Sequence, residues 1–291
     1  MELSLFVTCI MTVVSLASAD PTRQGDQETW QKTYGKGHSR MIFQELGQLL
    51  SKEISNEMPK YVDQILSDAG LEELTSIPDE KDWRVNGYVS DVKNQGHCAS
   101  CWAFTAAATL EGQLFNNTNN LITLSEQNLV DCAHSYKNKG CNAGWVHHAY
   151  KYIRDNGIEA SSMYPYTAKK GDCSFTLADS VGSLIGYGEL KRTTEAEIMK
   201  IVAKHGPISV SVFMSEAFLQ FTGTDIFDDP YCNQKPNHVA TLVGYVNKAT
   251  EKYWIIKNSW GKSWGNDGFM KMIMGKNMCG ITHLCHYPIV A

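Results

Sequence analysis

A chain of 291 residues with 43% hydrophobic and 20% charged residues is long enough to bury a sizeable core, and its make-up is neither fibrous, disordered nor that of a membrane-spanning bundle. A formal charge of −5 and a pI near 6.0, with no basic run, argue against a nucleic-acid partner. The acidic excess lies in residues 1–76, with 6 Lys+Arg against 11 Asp+Glu, so the remainder is formally neutral.

The first element is a largely apolar run from Leu3 to Leu16 followed by the small-residue stretch Ala17-Ser18-Ala19. Residues 1–19 read as a secretory signal cleaved before Asp20, although Glu2 stands where a basic residue is usual. The run is shorter than the roughly 20 residues a bilayer span needs, so no membrane anchor is expected. Residues 20–76 are polar and cysteine-free, with helical spacing at Ile42, Leu46, Leu49, Leu50 and Ile54 and again at Val62, Ile65, Leu66, Ala69 and Leu74. They read as a helical extension, and more sharply as a removable pro-segment. Pro78 breaks the pattern.

From residue 77 to about 186 the signals are mainly helical. Ser100 is the expected N-cap of a helix through Trp102, Ala103, Ala106, Ala107, Leu110 and Leu114. Ser125 opens a short helix to Cys132. A third runs from about Trp145 to Arg154 and stops at Asn156-Gly157. His147 and His148 on it are expected to be exposed helix residues rather than ligands. Asn116-Asn117-Thr118 is a glycosylation sequon, expected in a polar loop.

After Gly186 the character changes. Ile208 to Phe213, Val239 to Val246, Tyr253 to Lys257 and Gly268 to Met274 are β-branched or aromatic runs bounded by Gly, Pro and Asn. A helix from Thr194 to Ala203 precedes them. One helical part (77–186) followed by one sheet-rich part (187–291) implies two lobes with a cleft between them.

Secretion makes the nine cysteines informative. Cys9 leaves with the signal, and the remaining eight should mostly pair in an oxidising compartment. Spacing alone cannot choose among roughly a hundred possible full pairings. Cys98 and Cys101 in "QGHCASCWAF" could be a redox pair, half of a zinc site, or two thiols with unrelated roles.

A cysteine nucleophile needs a stabilised thiolate, a base and a donor for the developing oxyanion. Cys101 falls in the first turn of the expected helix, where unpaired amides favour a negative sulfur. His238, in "PNHVATLVGY", opens a strand in the other half and could hold the sulfur and later protonate a leaving amine. Asn258, in "KNSWG", could fix the imidazole tautomer. Gln95 offers a side-chain amide as oxyanion donor beside the Cys101 backbone N–H.

"QGHCASCWAF", "NHVATLVGY" and "NSWGKSWGNDGFM" together resemble the papain-like cysteine proteases, the cathepsin L branch above all. The separations of 137 and 157 residues from Cys101 to His238 and Asn258 suit that family, and the likeness covers residues 77–291. Ala99 stands where the family mostly has glycine. The resemblance implies an α+β, papain-like two-lobe fold, with a helical lobe, an antiparallel β-barrel-like lobe and the active-site cleft between them. It implies a cysteine endopeptidase with Cys101 as nucleophile, His238 as base and acid, Asn258 as orienting residue and Gln95 as oxyanion donor. Trp260 would shield the Asn258–His238 bond, and Gly144 would pair its backbone with an extended substrate.

The same likeness implies the bridges Cys98–Cys141, Cys132–Cys173 and Cys232–Cys279, leaving Cys101 free and Cys285 as a buried thiol. Trp145, Val146, Ser211, Val239 and Leu284 match the main specificity pocket. With no acid among them, they imply a bulky hydrophobic residue at P2 and disfavour arginine there. No occluding-loop insertion is seen, which favours internal cleavage.

The expected partners are protein or peptide substrates, the chain's own pro-segment and cystatin-like inhibitors. A monomer is expected, secreted or lysosomal, with no cofactor and no metal. The pro-segment departs from the family: it is short, and "LSDAGLEEL" only faintly resembles an inhibitory turn. Trp30 and Tyr34 could anchor its first helix, and its 10 carboxylates would loosen it on protonation. Two other readings remain, a catalytically silent protease-shaped binding protein and a thiol–disulfide oxidoreductase using Cys98 and Cys101. Against the latter, no second C-x-x-C or histidine pair completes a zinc site and no thioredoxin-type strand precedes the motif.

Overall fold

The computed structural model describes residues 77–291. The signal (1–19) and pro-segment (20–76) expectations, with Cys9, Trp30, Tyr34 and the Leu66–Leu74 stretch, lie outside the described residues.

Three helices build the first half. α1 (Cys101–Thr118) is buried on almost every side from Trp102 to Gln113, because its small residues Ala103, Ala106, Ala107 and Gly112 let neighbours approach closely. α2 (Glu126–Cys132) starts where the Ser125 hydroxyl accepts the Asn128 N–H, the side-chain cap its sequence implied. α3 (Val146–Asn156) turns Val146, Ala149, Tyr150 and Ile153 inward and ends at Gly157, whose φ of 95° suits glycine. Their apolar faces form one core around Trp102, Leu110, Leu129 and Ile153.

The second half is a sheet. Its strands are β4 (Gly186–Lys191), β5 (Ile208–Val212), β6 (Ile226–Phe227), β7 (His238–Asn247), β8 (Lys252–Lys257), β9 (Phe269–Ile273) and β10 (Leu284–Ile289). They run in the order β4-β10-β5-β7-β8-β9-β6. Pairing is antiparallel except for the short parallel contact of β6 with β9. β5 and the middle of β7 are buried throughout. They form a second core with Trp254, Ile256, Met270 and Met272. α4 (Glu195–His205) covers this core through Ile198 and Val202 and begins with a reciprocal Thr194–Glu197 capping box. A short α5 (Glu216–Leu219) follows β5.

The architecture is the two-lobe α+β fold expected. Several strands had no clear sequence signal. β1 (Glu80–Asp82) is wholly charged, yet it pairs antiparallel with β7. The chain entering the helical half therefore edges the sheet first, and Trp83 lies in the sheet-side core. β4 and β10 pair over six residues, with Tyr287 opposite Gly188. A Cβ on Gly188 would stand 2.0 Å from the Tyr287 ring, so glycine is required by that packing. A small pair, β2 (Ile158–Glu159) with β3 (Ser180–Gly182), stands in the helical half.

Two local expectations need correction. Ser100 occupies the N-cap position of α1, but its hydroxyl does not cap the helix. It meets the Tyr166 hydroxyl at 2.7 Å instead. The Asn116 sequon lies in the last turn of α1, where Thr118 Oγ1 donates to Leu114 O at 2.7 Å. Asn116 is exposed, and its Oδ1 accepts from Tyr88 OH at 2.6 Å.

Among the described residues no helix is long and apolar enough to cross a membrane.

Candidate active site

α1, which begins with Cys101, packs on β7, which begins with His238. Thr105 Oγ1 donates to Val239 O at 3.4 Å. Cys101 is unbridged and partly exposed. Cys98 is bonded to Cys141, Cys132 to Cys173 and Cys232 to Cys279. The two cysteines of the C-x-x-C stretch are thus in different chemical states, and a redox pair between them is ruled out in this arrangement.

Burial pushes the Cys101 thiol up from its usual value, while the backbone groups of Val239, Trp102 and Cys101 itself favour the thiolate. Burial likewise pushes the His238 imidazole down to about 4, against the favourable bond to Asn258. Each charge alone is disfavoured by burial.

The tautomer of His238 follows from its surroundings. Asn258 Oδ1 accepts the Ser259 backbone N–H at 2.9 Å, which fixes the amide's orientation. His238 Nε2 lies 2.9 Å from the same oxygen and must donate, since that oxygen has no proton. Nδ1 is then the basic nitrogen. Trp260 covers this bond, its ring centroid 4.9 Å from that of His238. Phe218 and Trp264 pack edge-on around Trp260.

Gln95 is held at both ends. Its Oε1 accepts from Ser259 Oγ at 2.6 Å, and its Nε2 donates to Cys98 O at 2.8 Å. One Nε2 hydrogen remains. Tyr166 OH donates to Gln95 O at 2.8 Å, joining the Gln95 loop to Ser100 and the start of α1. Ser259 and Tyr166 were not singled out in the sequence. Ser259 stood beside Asn258 in "KNSWG", whereas Tyr166 carried no local signal. Ala99 is exposed and has no positive φ, so its methyl group is accommodated.

Gly144 precedes Trp145 and α3. A Cβ there would lie 2.4 Å from two ring atoms of Trp102, which is fully buried. Of the pocket candidates, Ser211 and Val239 are cross-strand neighbours. Val146 is buried, Val239 packs against the helical core that contains it, and Trp145 is exposed. Leu284 opens β10 and is half-buried. His147 and His148, expected to be exposed, are half-buried, because the first turn of α3 packs against β4 and β10. Cys285 is a buried free thiol, its proton loss opposed by burial, which pushes its pKa up to about 12. A concavity of about 470 Å³ lined by Glu80, Arg84, Tyr253 and Phe269 lies elsewhere and contains none of these groups.

A family model for papain family cysteine protease matches residues 77–289. The chain belongs to the papain family of cysteine proteases. Within that family, it is 45% identical over 224 residues to procathepsin L of Rattus norvegicus, covering 75% of this chain and 67% of the relative. Testin-2 of Rattus norvegicus is 38% identical over 271 residues, covering 90% of this chain and 81% of the relative. Among solved structures, digestive procathepsin L 3 of the Tenebrio molitor larval midgut is similar at TM-score 0.71 and 40% identity, over 75% of this chain and 72% of that one. This papain-family chain is a cathepsin L-like cysteine endopeptidase.

Proposed function

We propose that Cys101 attacks the scissile carbonyl and that His238 carries the protons. Supporting this is the single donor–acceptor assignment at Asn258. With Nε2–H committed to Asn258 Oδ1, Nδ1 is the nitrogen able to accept the thiol proton. The tetrahedral oxyanion then takes one hydrogen bond from Gln95 Nε2 and one from the Cys101 backbone N–H. His238 returns the proton to the leaving amine, leaving an acyl-enzyme. Water deprotonated by His238 hydrolyses the thioester, and the thiol is regenerated. Trp260 keeps bulk water from the His238–Asn258 bond. Gly144 pairs its backbone with the extended substrate.

The pocket of Trp145, Val146, Ser211, Val239 and Leu284 takes a hydrophobic side chain at P2. It holds no carboxylate, and a buried guanidinium without a partner is costly. The chain is made as a secretory precursor: residues 1–19 direct export, residues 20–76 inhibit until removed, and the processed monomer acts on proteins outside the cell or in the lysosome. Cystatin-like inhibitors fit the same cleft.

The test is a fluorogenic peptide library with the processed enzyme and its Cys101→Ala variant. The expected result is hydrolysis favouring leucine, valine or phenylalanine at P2, labelling of Cys101 by an epoxide peptide, and loss of at least about 1,000-fold in kcat for the variant. Dominant cleavage of substrates with arginine at P2 would overturn the pocket assignment. Undiminished activity of Cys101→Ala would overturn the nucleophile.

A further inference from the structure

One cluster of ionisable side chains has no part in the chemistry above. His147 lies in the first turn of α3, Glu189 in β4 and His286 in β10, and one ligand atom from each falls within 4.8 Å of the other two. Among the described residues no other group of three histidine, cysteine or carboxylate side chains converges this way.

The backbone creates the meeting. Glu189 and His286 are direct cross-strand partners, so their side chains rise from one face, and α3 packs its first turn against both strands. His286 is 2% exposed, and its Nε2 lies 3.0 Å from Glu189 Oε2. That pair alone would be an ordinary part-buried hydrogen bond. His147 is not accounted for so simply. Its ring stacks on His286 at 5.2 Å between centroids, and its Nδ1 is buried with no hydrogen-bond partner. An orphaned imidazole nitrogen lies against a His–Glu pair whose histidine is buried and whose carboxylate reaches solvent, a donor set with no cation to share.

We propose that His147, Glu189 and His286 bind a divalent transition metal, zinc in the first instance. Two imidazoles and one carboxylate are a donor set that zinc accepts, with water completing a tetrahedron. Ligand atoms around tetrahedral zinc lie about 3.3 Å apart, from bond lengths of about 2.0–2.1 Å. The His286–Glu189 edge, at 3.0 Å, is close to that length, and a small rotation of His147 closes the rest. Glu189 Oε1 also contacts Lys191 Nζ at 2.6 Å, but the lysine is 68% exposed and releases into solvent. Bound metal would clip α3 to β4 and β10. The proposal does not depend on the catalytic or pocket assignments.

The test uses the full chain carrying Cys101→Ala, which removes the reactive sulfur as a competing ligand and prevents self-cleavage. After dialysis against chelator, zinc chloride is titrated calorimetrically near neutral pH, and cobalt(II) is titrated in parallel by visible absorption. The expected result is uptake of one equivalent, a raised thermal midpoint, and the visible bands of four-coordinate cobalt. His147→Ala should weaken zinc binding at least about tenfold. Glu189→Gln serves as the second variant should His147→Ala misfold in circular dichroism without metal. Unchanged affinity in either folded variant, or no uptake by the parent at millimolar zinc, would overturn the proposal.

Discussion

Gly144 has no side chain because Trp102 fills the space where one would start. With an added Cβ 2.4 Å from a fully buried indole, something must shift, and neither α1 nor the Cys98–Cys141 bridge gives readily. Gly144→Ala should lower stability by about 1–3 kcal/mol, the usual cost of overpacking. If its backbone binds substrate, the variant should also raise KM more than it lowers kcat; denaturant midpoints and steady-state kinetics read the two effects separately. At this scale the sequence was most legible where one side chain performs one task. Cys101, His238, Asn258 and Gln95 stand out by residue type and spacing. Ser259 and Tyr166, which hold Gln95 and its loop, have no type that announces such a task. Their value comes from distant partners, 164 and 71 residues away.

Among elements, α1 bears the heaviest demand, since it carries Cys101 at one end and a buried carboxylate further along. Glu111 is 1% exposed. It accepts from Ser90 Oγ at 2.5 Å and from the Leu124 backbone N–H at 2.8 Å, and pairs with Lys93 at 3.4 Å. Burial would raise its pKa, but Lys93 and Lys257 outweigh that and hold it below the ordinary carboxylate range. Lys257, next to Asn258, is pushed down to about 8 chiefly by burial. Glu111→Gln should therefore cost about 3–5 kcal/mol by removing the charge that offsets the buried Lys257 ammonium, while Lys93 keeps Glu126. Lys257→Met in that background should recover part of the loss, measured by chemical denaturation. Helices and central strands were readable because their apolar spacing is local. β1, β4 and β10 were not: Glu80–Asp82 is charged, Gly188 is set by Tyr287 across the strand, and Pro288 breaks an otherwise plausible pattern. Each becomes a strand only through its neighbour.

For the whole molecule the two cores were foreseeable from the change of pattern near residue 186, but not how the first residues and the last strand are shared between them. Its stability against acid follows from groups in both. Glu111, depressed in the fold, contributes stability above its unfolded pKa of about 4.3 and loses it as pH falls through the lower folded value. Glu126, raised chiefly by burial, runs the opposite way. His205, at the end of α4 with its ring 4.8 Å from Tyr287, is pushed down to about 4 mainly by burial, with a small contribution from Lys204. Its contribution is complete above about pH 6.5 and disappears as pH falls towards 4, at most about 3 kcal/mol. In the Cys101→Ala background, His205→Phe should flatten the fall in unfolding free energy between those values; an unaltered slope would refute the assignment. The edge pairing of β1 has its own consequence. Asn247 N–H reaches Asp79 O at 2.7 Å and Tyr245 OH reaches Pro78 O at 2.9 Å, so residues 78–82 are stitched to the very strand that begins with His238. Trimming the chain from its front end beyond Pro78 would therefore unpick the pairing at the end of that strand opposite to His238, stripping an edge from the sheet that carries the imidazole.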